Sequence, residues 1–193
     1  MEVKIQSNSV FSSATYRVGR VLVDPGDLSG LFEGVDAVLL THGHFDHIYG
    51  INEVVSRNPD VRIYTNEYGA RMLQDIKLNM SKYHEPELRL EHPENVVVIK
   101  EGDTIREDGM EIRVYETPGH NPSCVTYALG ELLFTGDSYV IENERFAADG
   151  RQEYDFVKTV ANLPHSDKRA AAESERRIRE LAEGRRILPG HRL

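Results

Sequence analysis

Four times in this chain an apolar run of strand length breaks into a short turn that carries histidine or aspartate. Asp36-Ala37-Val38-Leu39-Leu40 leads into Thr41-His42-Gly43-His44-Phe45-Asp46-His47. The later turns are Thr117-Pro118-Gly119-His120, Phe134-Thr135-Gly136-Asp137 and Leu188-Pro189-Gly190-His191. Short runs rich in leucine and β-branched residues read as buried strands, and open α/β sheets gather ligands at strand ends. The first motif alone delivers three imidazoles and a carboxylate to one sheet edge. Imidazole with carboxylate, and no thiolate, suits zinc, iron or manganese.

The surrounding pattern predicts strands at Val3–Gln6, Ser12–Val18 and Arg20–Asp24, with a sharp reversal at Asp24-Pro25-Gly26-Asp27. Ile48, Ile51, Val54 and Val55 predict a helix over Asp46–Arg57, stopped by Asn58-Pro59. A strand at Val61–Thr65 and a helix over Glu67–Ile76 follow. Residues 77–95 read as an irregular surface excursion. Strands resume at Val96–Lys100, Glu111–Glu116, Ser123–Leu129 and Glu131–Thr135, the last two closing a hairpin at Gly130. Residues 141–152 read as loop, Tyr154–Asn162 and Asp167–Gly184 as helices, and Arg186–Leu188 as the final strand.

At 193 residues the chain is expected to form one domain over 1–193. The net charge of −9 argues against a broad nucleic-acid-binding surface. One cysteine, Cys124, excludes an intramolecular disulfide. No apolar run approaches the ~20 residues that a membrane-spanning helix needs, and the N-terminus lacks a signal-peptide core. The expectation is a soluble cytoplasmic protein acting on a small molecule, of unknown oligomeric state.

The order and context of the motifs resemble the metallo-β-lactamase superfamily, from about Val21 to His191. That resemblance implies an α/β fold, a four-layer αββα sandwich. It also implies two divalent metal ions, most simply zinc, with iron or manganese possible. His42, His44 and His120 would hold one metal; Asp46, His47 and His191 the other; Asp137 would bridge both. Two metals sharing a water would generate a hydroxide for hydrolysis of an ester, thioester or related centre. Asp46 would serve both as ligand and as acid–base group.

Within the superfamily the donor pattern is similar to the hydroxyacylglutathione hydrolases (glyoxalase II). The sequence runs only two residues past His191, so that family's C-terminal helical extension, and with it hydrolysis of a glutathione conjugate, is not expected here. Asp137 stands where the commonest zinc β-lactamases carry cysteine. A mononuclear iron enzyme resembling the persulfide dioxygenases and a phosphodiesterase or nuclease are the alternatives.

Asp24 matches an early acidic residue of the superfamily, and either supports a ligand or simply forms its turn. Tyr139 and Arg145 are substrate-contact candidates on the segment after Asp137. Phe45 and Tyr49 read as packing residues. His84, His92 and His165 read as ordinary polar histidines, although Tyr83 and His84 belong to a segment that could cap a pocket.

Overall fold

The protein is represented by a computed structural model that describes residues 1–146, 152–157 and 163–191. A first sheet takes its strands in chain order: β1 (Lys4–Ser7), β2 (Ala14–Val18), β3 (Val21–Val23), β4 (Ala37–Leu39), β5 (Arg62–Thr65) and β6 (Val96–Val98). β1 to β3 are antiparallel, and β3 to β6 are parallel. Parallel neighbours need crossover connections. Here α1 (Phe45–Ile48) and α2 (Ile51–Arg57) join β4 to β5, and α3 (Glu67–Met72) lies between β5 and β6.

The second sheet is an antiparallel meander of β7 (Thr104–Glu107), β8 (Met110–Glu116), β9 (Val125–Leu129) and β10 (Leu132–Gly136). β11 (Val140–Phe146) and β12 (Gln152–Val157) pair with each other as a separate hairpin. After α4 (Lys168–Leu181), β13 (Arg186–Pro189) returns to lie parallel beside β10.

Side-chain alternation explains the layering. Ala37 and Leu39 of β4 face a cluster shared with Ile112, Val114, Val125, Tyr127 and Phe134 of the second sheet. Val38 and Leu40 face outward onto Ile48, Ile51, Val54 and Val55 of α1 and α2. On the far side, Leu133 and Ile187 pack against Ile178 of α4. These clusters define the layers helix, sheet, sheet, helix, as the resemblance to the superfamily implied. Both faces of β4 are covered, which is why its sequence is continuously apolar rather than alternating.

Four elements depart from the sequence reading. The helix over Asp46–Arg57 is broken at Tyr49-Gly50. The Gly50 N–H donates to the Pro25 carbonyl (3.0 Å), and a Cβ there would lie 2.1 Å from the Gly26 oxygen. The Asp24–Asp27 turn is therefore pressed against the helix, and that contact overrides its period. The helix over Glu67–Ile76 ends at Met72, because the Asp75 carboxylate accepts from Lys77 N and Leu78 N and makes a turn.

β7 was not anticipated, because it buries one apolar residue, Ile105, and one acid, Glu107. Glu107 is buried through a two-pronged contact from Arg62 (2.6 Å each) and the Tyr64 hydroxyl (2.5 Å). Finally, residues 141–146 and 152 are not loop, nor 154–157 helix. They belong to β11 and β12, since antiparallel backbone pairing tolerates a polar sequence that reads as loop by composition. The rest of the expected loop, 147–151, and of the expected helix, 158–162, lies outside the described residues.

Candidate metal centre

All seven donors arrive at one edge of the two sheets. Thr41 and His42 follow β4, while Asp46 and His47 occupy α1. His120 lies in the turn between β8 and β9, Asp137 directly after β10, and His191 two residues after the end of β13. Donor atoms within 4.8 Å of one another fall into the groups His42/His44/His120, His42/His47/Asp137 and Asp46/His47/His191. The Nε2 of His120 and Nδ1 of His44 are 2.9 Å apart, and the Nε2 atoms of His47 and His191 are 3.3 Å apart. Asp137 sits between the groups. One oxygen is 3.3 Å from His47 Nε2; the other is 3.8, 3.5 and 3.3 Å from Nε2 of His42, His120 and His191.

Hydrogen bonds on the outer side of the rings decide which nitrogen faces the centre. His191 Nδ1 lies 2.9 Å from the Phe11 carbonyl, which can only accept, so Nδ1 carries the hydrogen and a neutral ring aims its Nε2 lone pair inward. His47 Nδ1 lies 3.1 Å from the Asp24 carboxylate, with the same consequence. The Thr41 hydroxyl donates to Asp24 (2.6 Å), leaving its oxygen to accept from His42 Nδ1 at 3.3 Å. His42 Nε2 is then buried with no hydrogen-bond partner. An orphaned, inward-facing imidazole nitrogen is costly unless an electrophile completes it. The donor set therefore fits a bound cation.

The electrostatics agree. Burial, followed by the charge of His47, holds His42 well below its usual pKa, and burial with His120 brings His44 to about 3. These two rings are neutral at physiological pH, as metal ligands must be. Burial also opposes charge on His47 and His191, but Asp46 and Asp137 outweigh it and raise both. Asp137 is held well below the carboxylate range despite its burial, by His47 and His42. Asp46 and Asp137 thus draw positive charge onto His47 and His191, not onto His42 and His44.

Asp24 supports the site as well as forming its turn. It adopts φ 51° and accepts from Thr41 N (2.8 Å), Thr41 Oγ1 and His47 Nδ1. Asp24→Asn removes one of these acceptors. It is expected to weaken metal binding by about 10- to 100-fold, the usual cost of losing a partner that orients a ligand. Competition with a chromogenic chelator measures it, and an unchanged affinity would return Asp24 to a turn-forming role alone.

Several supporting groups had no signal in the sequence. Ser13 Oγ donates to the Asp46 carbonyl (2.6 Å), Ser123 Oγ accepts from Gly43 N (3.0 Å), and the Phe11 carbonyl orients His191. None of the three sits in a recognisable motif. Tyr139, expected near the metals, is instead buried beside Leu133 and Ile178, away from the centre. No side-chain position is described for Arg145. Phe45 and Tyr49 pack on the cluster beneath α1 and α2, as expected. His92 pairs with Glu94 at the surface and His165 lies near Tyr68, so neither joins the centre.

Two sheets back to back, with histidines and aspartates at one loop edge, define a protein of the metallo-β-lactamase fold. Residues 32–191 match the Metallo-beta-lactamase superfamily, and the chain belongs to it. Among curated proteins, the hydroxyacylglutathione hydrolase of Buchnera aphidicola subsp. Schizaphis graminum (strain Sg) is 28% identical over 154 residues, 72% of this chain. The match spans 52% of that relative's own length. Among solved structures, the BLEG-1 B3 metallo-beta-lactamase is 22% identical, with a TM-score of 0.77 over 100% of this chain and 92% of its own. TTHA1623, solved in a di-iron-bound form, is 25% identical, with a TM-score of 0.66 over 99% of this chain and 87% of its own. Among the described residues, no helix is long and apolar enough to cross a membrane.

Proposed function

We propose that the protein is a metal-dependent hydrolase of an ester, thioester or related small-molecule substrate, with a two-metal centre. The observation that carries this reading is the position of Asp137, whose two oxygens face His47 on one side and His42, His120 and His191 on the other. His42, His44 and His120 would hold one cation, Asp46, His47 and His191 the second, and Asp137 would join them. The curated hydroxyacylglutathione hydrolase and the di-iron-bound TTHA1623 support the activity class and the metal count respectively.

Bound divalent metals would lower the pKa of a water and polarise the attacked carbonyl. The protein's own groups then position and relay. Asp24 and Thr41 lock His47 and His42 so that their Nε2 atoms point inward. Asp46 is mostly buried in the centre, with Oδ2 3.3 Å from His47 Nε2 and 3.4 Å from His191 Nε2. Its carboxylate can take a proton from the attacking water and pass it to the leaving oxygen or sulfur.

The test is metal analysis of protein purified without added metal, followed by an ester, thioester and phosphodiester panel. Two equivalents of zinc, iron or manganese are expected, with turnover abolished by chelation and restored by metal. Turnover that survives exhaustive chelation would rule the proposal out. A single iron, with oxygen consumed on a persulfide, would replace it with an oxygenase.

A further inference from the structure

Asn8 is buried outside the donor set, and its amide joins three segments of the chain. Nδ2 donates to Ser13 Oγ and to Thr15 Oγ1 (3.0 Å each), while Oδ1 accepts from Asp27 N at 3.2 Å. Both hydroxyls pass the bond on. Ser13 Oγ donates to the Asp46 carbonyl at 2.6 Å, and Thr15 Oγ1 to the Asp24 carbonyl at 2.7 Å. A Cβ at Gly26 would lie 2.1 Å from Asn8 Nδ2, so the amide is gripped by the 24–27 turn as well. The backbone of Asn8 closes the turn 8–13, its N–H donating to Ser13 O at 2.8 Å. That turn presents the Phe11 carbonyl to His191 Nδ1 at 2.9 Å. Phe11 and Ser12 take left-handed angles there (φ 51° and 54°), which persist only where surrounding contacts enforce them. Phe11 is 68% exposed, so burial of its ring does not supply that enforcement; the bonds of Asn8 and Ser13 do.

The reach of this network is one-sided. Asp46 and His191 group with His47 and not with His42, His44 and His120. His42 is tied instead to Thr41, whose N–H holds the Asp24 carboxylate directly at 2.8 Å. His44 lies 3.4 Å from Asn121 Nδ2, and Ser123 Oγ holds the neighbouring Gly43 N at 3.0 Å. We propose that Asn8 is a positioning residue for one cation of the pair: it fixes the turn 8–13 so that Asp46 and His191 meet His47. Its loss frees that cation, while the cation of His42, His44 and His120 stays bound. The inference rests on the two-metal reading, and it makes the N-terminal turn the element that sets occupancy of the second position.

Cobalt(II) loaded into the full-length protein tests this without turnover, because a paramagnetic ion shifts the imidazole N–H resonances of its ligands far from their ordinary range. His191→Ala and His120→Ala assign the shifted signals to the two positions. At the lowest cobalt that saturates both positions of the wild-type protein, Asn8→Ala should show weak His191-dependent signals and full His120-dependent ones. Cobalt titration should find one affinity lowered by about 10- to 100-fold, the usual cost of losing a partner that orients a ligand, and the other unchanged. Ser13→Ala cuts the branch to Asp46 and leaves the backbone closure of the turn. It should lower the same affinity by less, and it carries the test alone if Asn8→Ala does not fold. Equal weakening of both positions, or an unchanged second affinity in the folded variants, would overturn the inference and leave Asn8 a structural residue. A wild-type protein that takes up a single cobalt would instead defeat the two-metal reading, and this inference with it.

Discussion

Asp137→Asn is expected to empty at least one metal position and to lower turnover by about 10³-fold or more, roughly 4 kcal/mol of transition-state stabilisation at 1.36 kcal/mol per decade. A carboxamide has the same shape as the carboxylate but no charge, and only one of its two terminal atoms can accept. Asp137 is the group that both proposed donor sets would share, with Oδ1 3.3 Å from His47 of one set and Oδ2 3.5 Å from His120 of the other. The neutral side chain would leave two dications facing each other without the anion that offsets their repulsion. The fold should persist, because Asp137 lies in the turn after β10 and not among the apolar clusters. Far-UV circular dichroism checks the fold, and elemental analysis of the purified variant counts the metal. Two metals retained per chain in Asp137→Asn would show that this residue is not the bridge.

Gly190→Ala should be nearly as damaging, although the change adds only a methyl group outside the donor set. A Cβ at this position would lie 2.1 Å from Asp137 Oδ1, 2.8 Å from His47 Cε1 and 2.9 Å from the Gly136 carbonyl carbon. The backbone cannot yield easily. Gly190 N donates to Gly136 O at 2.9 Å, and its own carbonyl accepts from Ala14 N at 2.7 Å, tying β13 to both β10 and β2. The strain must therefore fall on Asp137 and His47. Displacements near 1 Å at a reactive centre can cost about 100-fold in rate. The expected result is a loss of that order in kcat, with weaker metal retention during dialysis. Wild-type kcat in Gly190→Ala would mean that the turn before His191 opens more readily than these contacts allow.

The sequence by itself determined which side chains gather at the centre. Each donor follows an apolar run, and such a run can be read because burial of both strand faces leaves a dense local signal. His42, His120, Asp137 and His191 were legible for that reason, and the layered fold followed from the resemblance of these motifs to the metallo-β-lactamase superfamily. Asp46 and His47 were legible because they are sequence neighbours of His42 and His44.

Other features depended on contacts that no local pattern records. The break at Gly50 comes from the Pro25 carbonyl, distant in sequence but packed against the helix. β7 carries too little apolar character to be read alone, since its inward acid is satisfied by Arg62 and Tyr64 of the opposite sheet. Tyr139 looked like a site residue because it follows Asp137, yet the chain carries it under α4, where burying a large ring is favourable. The orientation of the imidazoles was likewise decided only by the tertiary structure. Ring orientation depends on which acceptor meets the outer nitrogen, and Asp24, Thr41 and the Phe11 carbonyl reach those nitrogens only once the sheets have assembled.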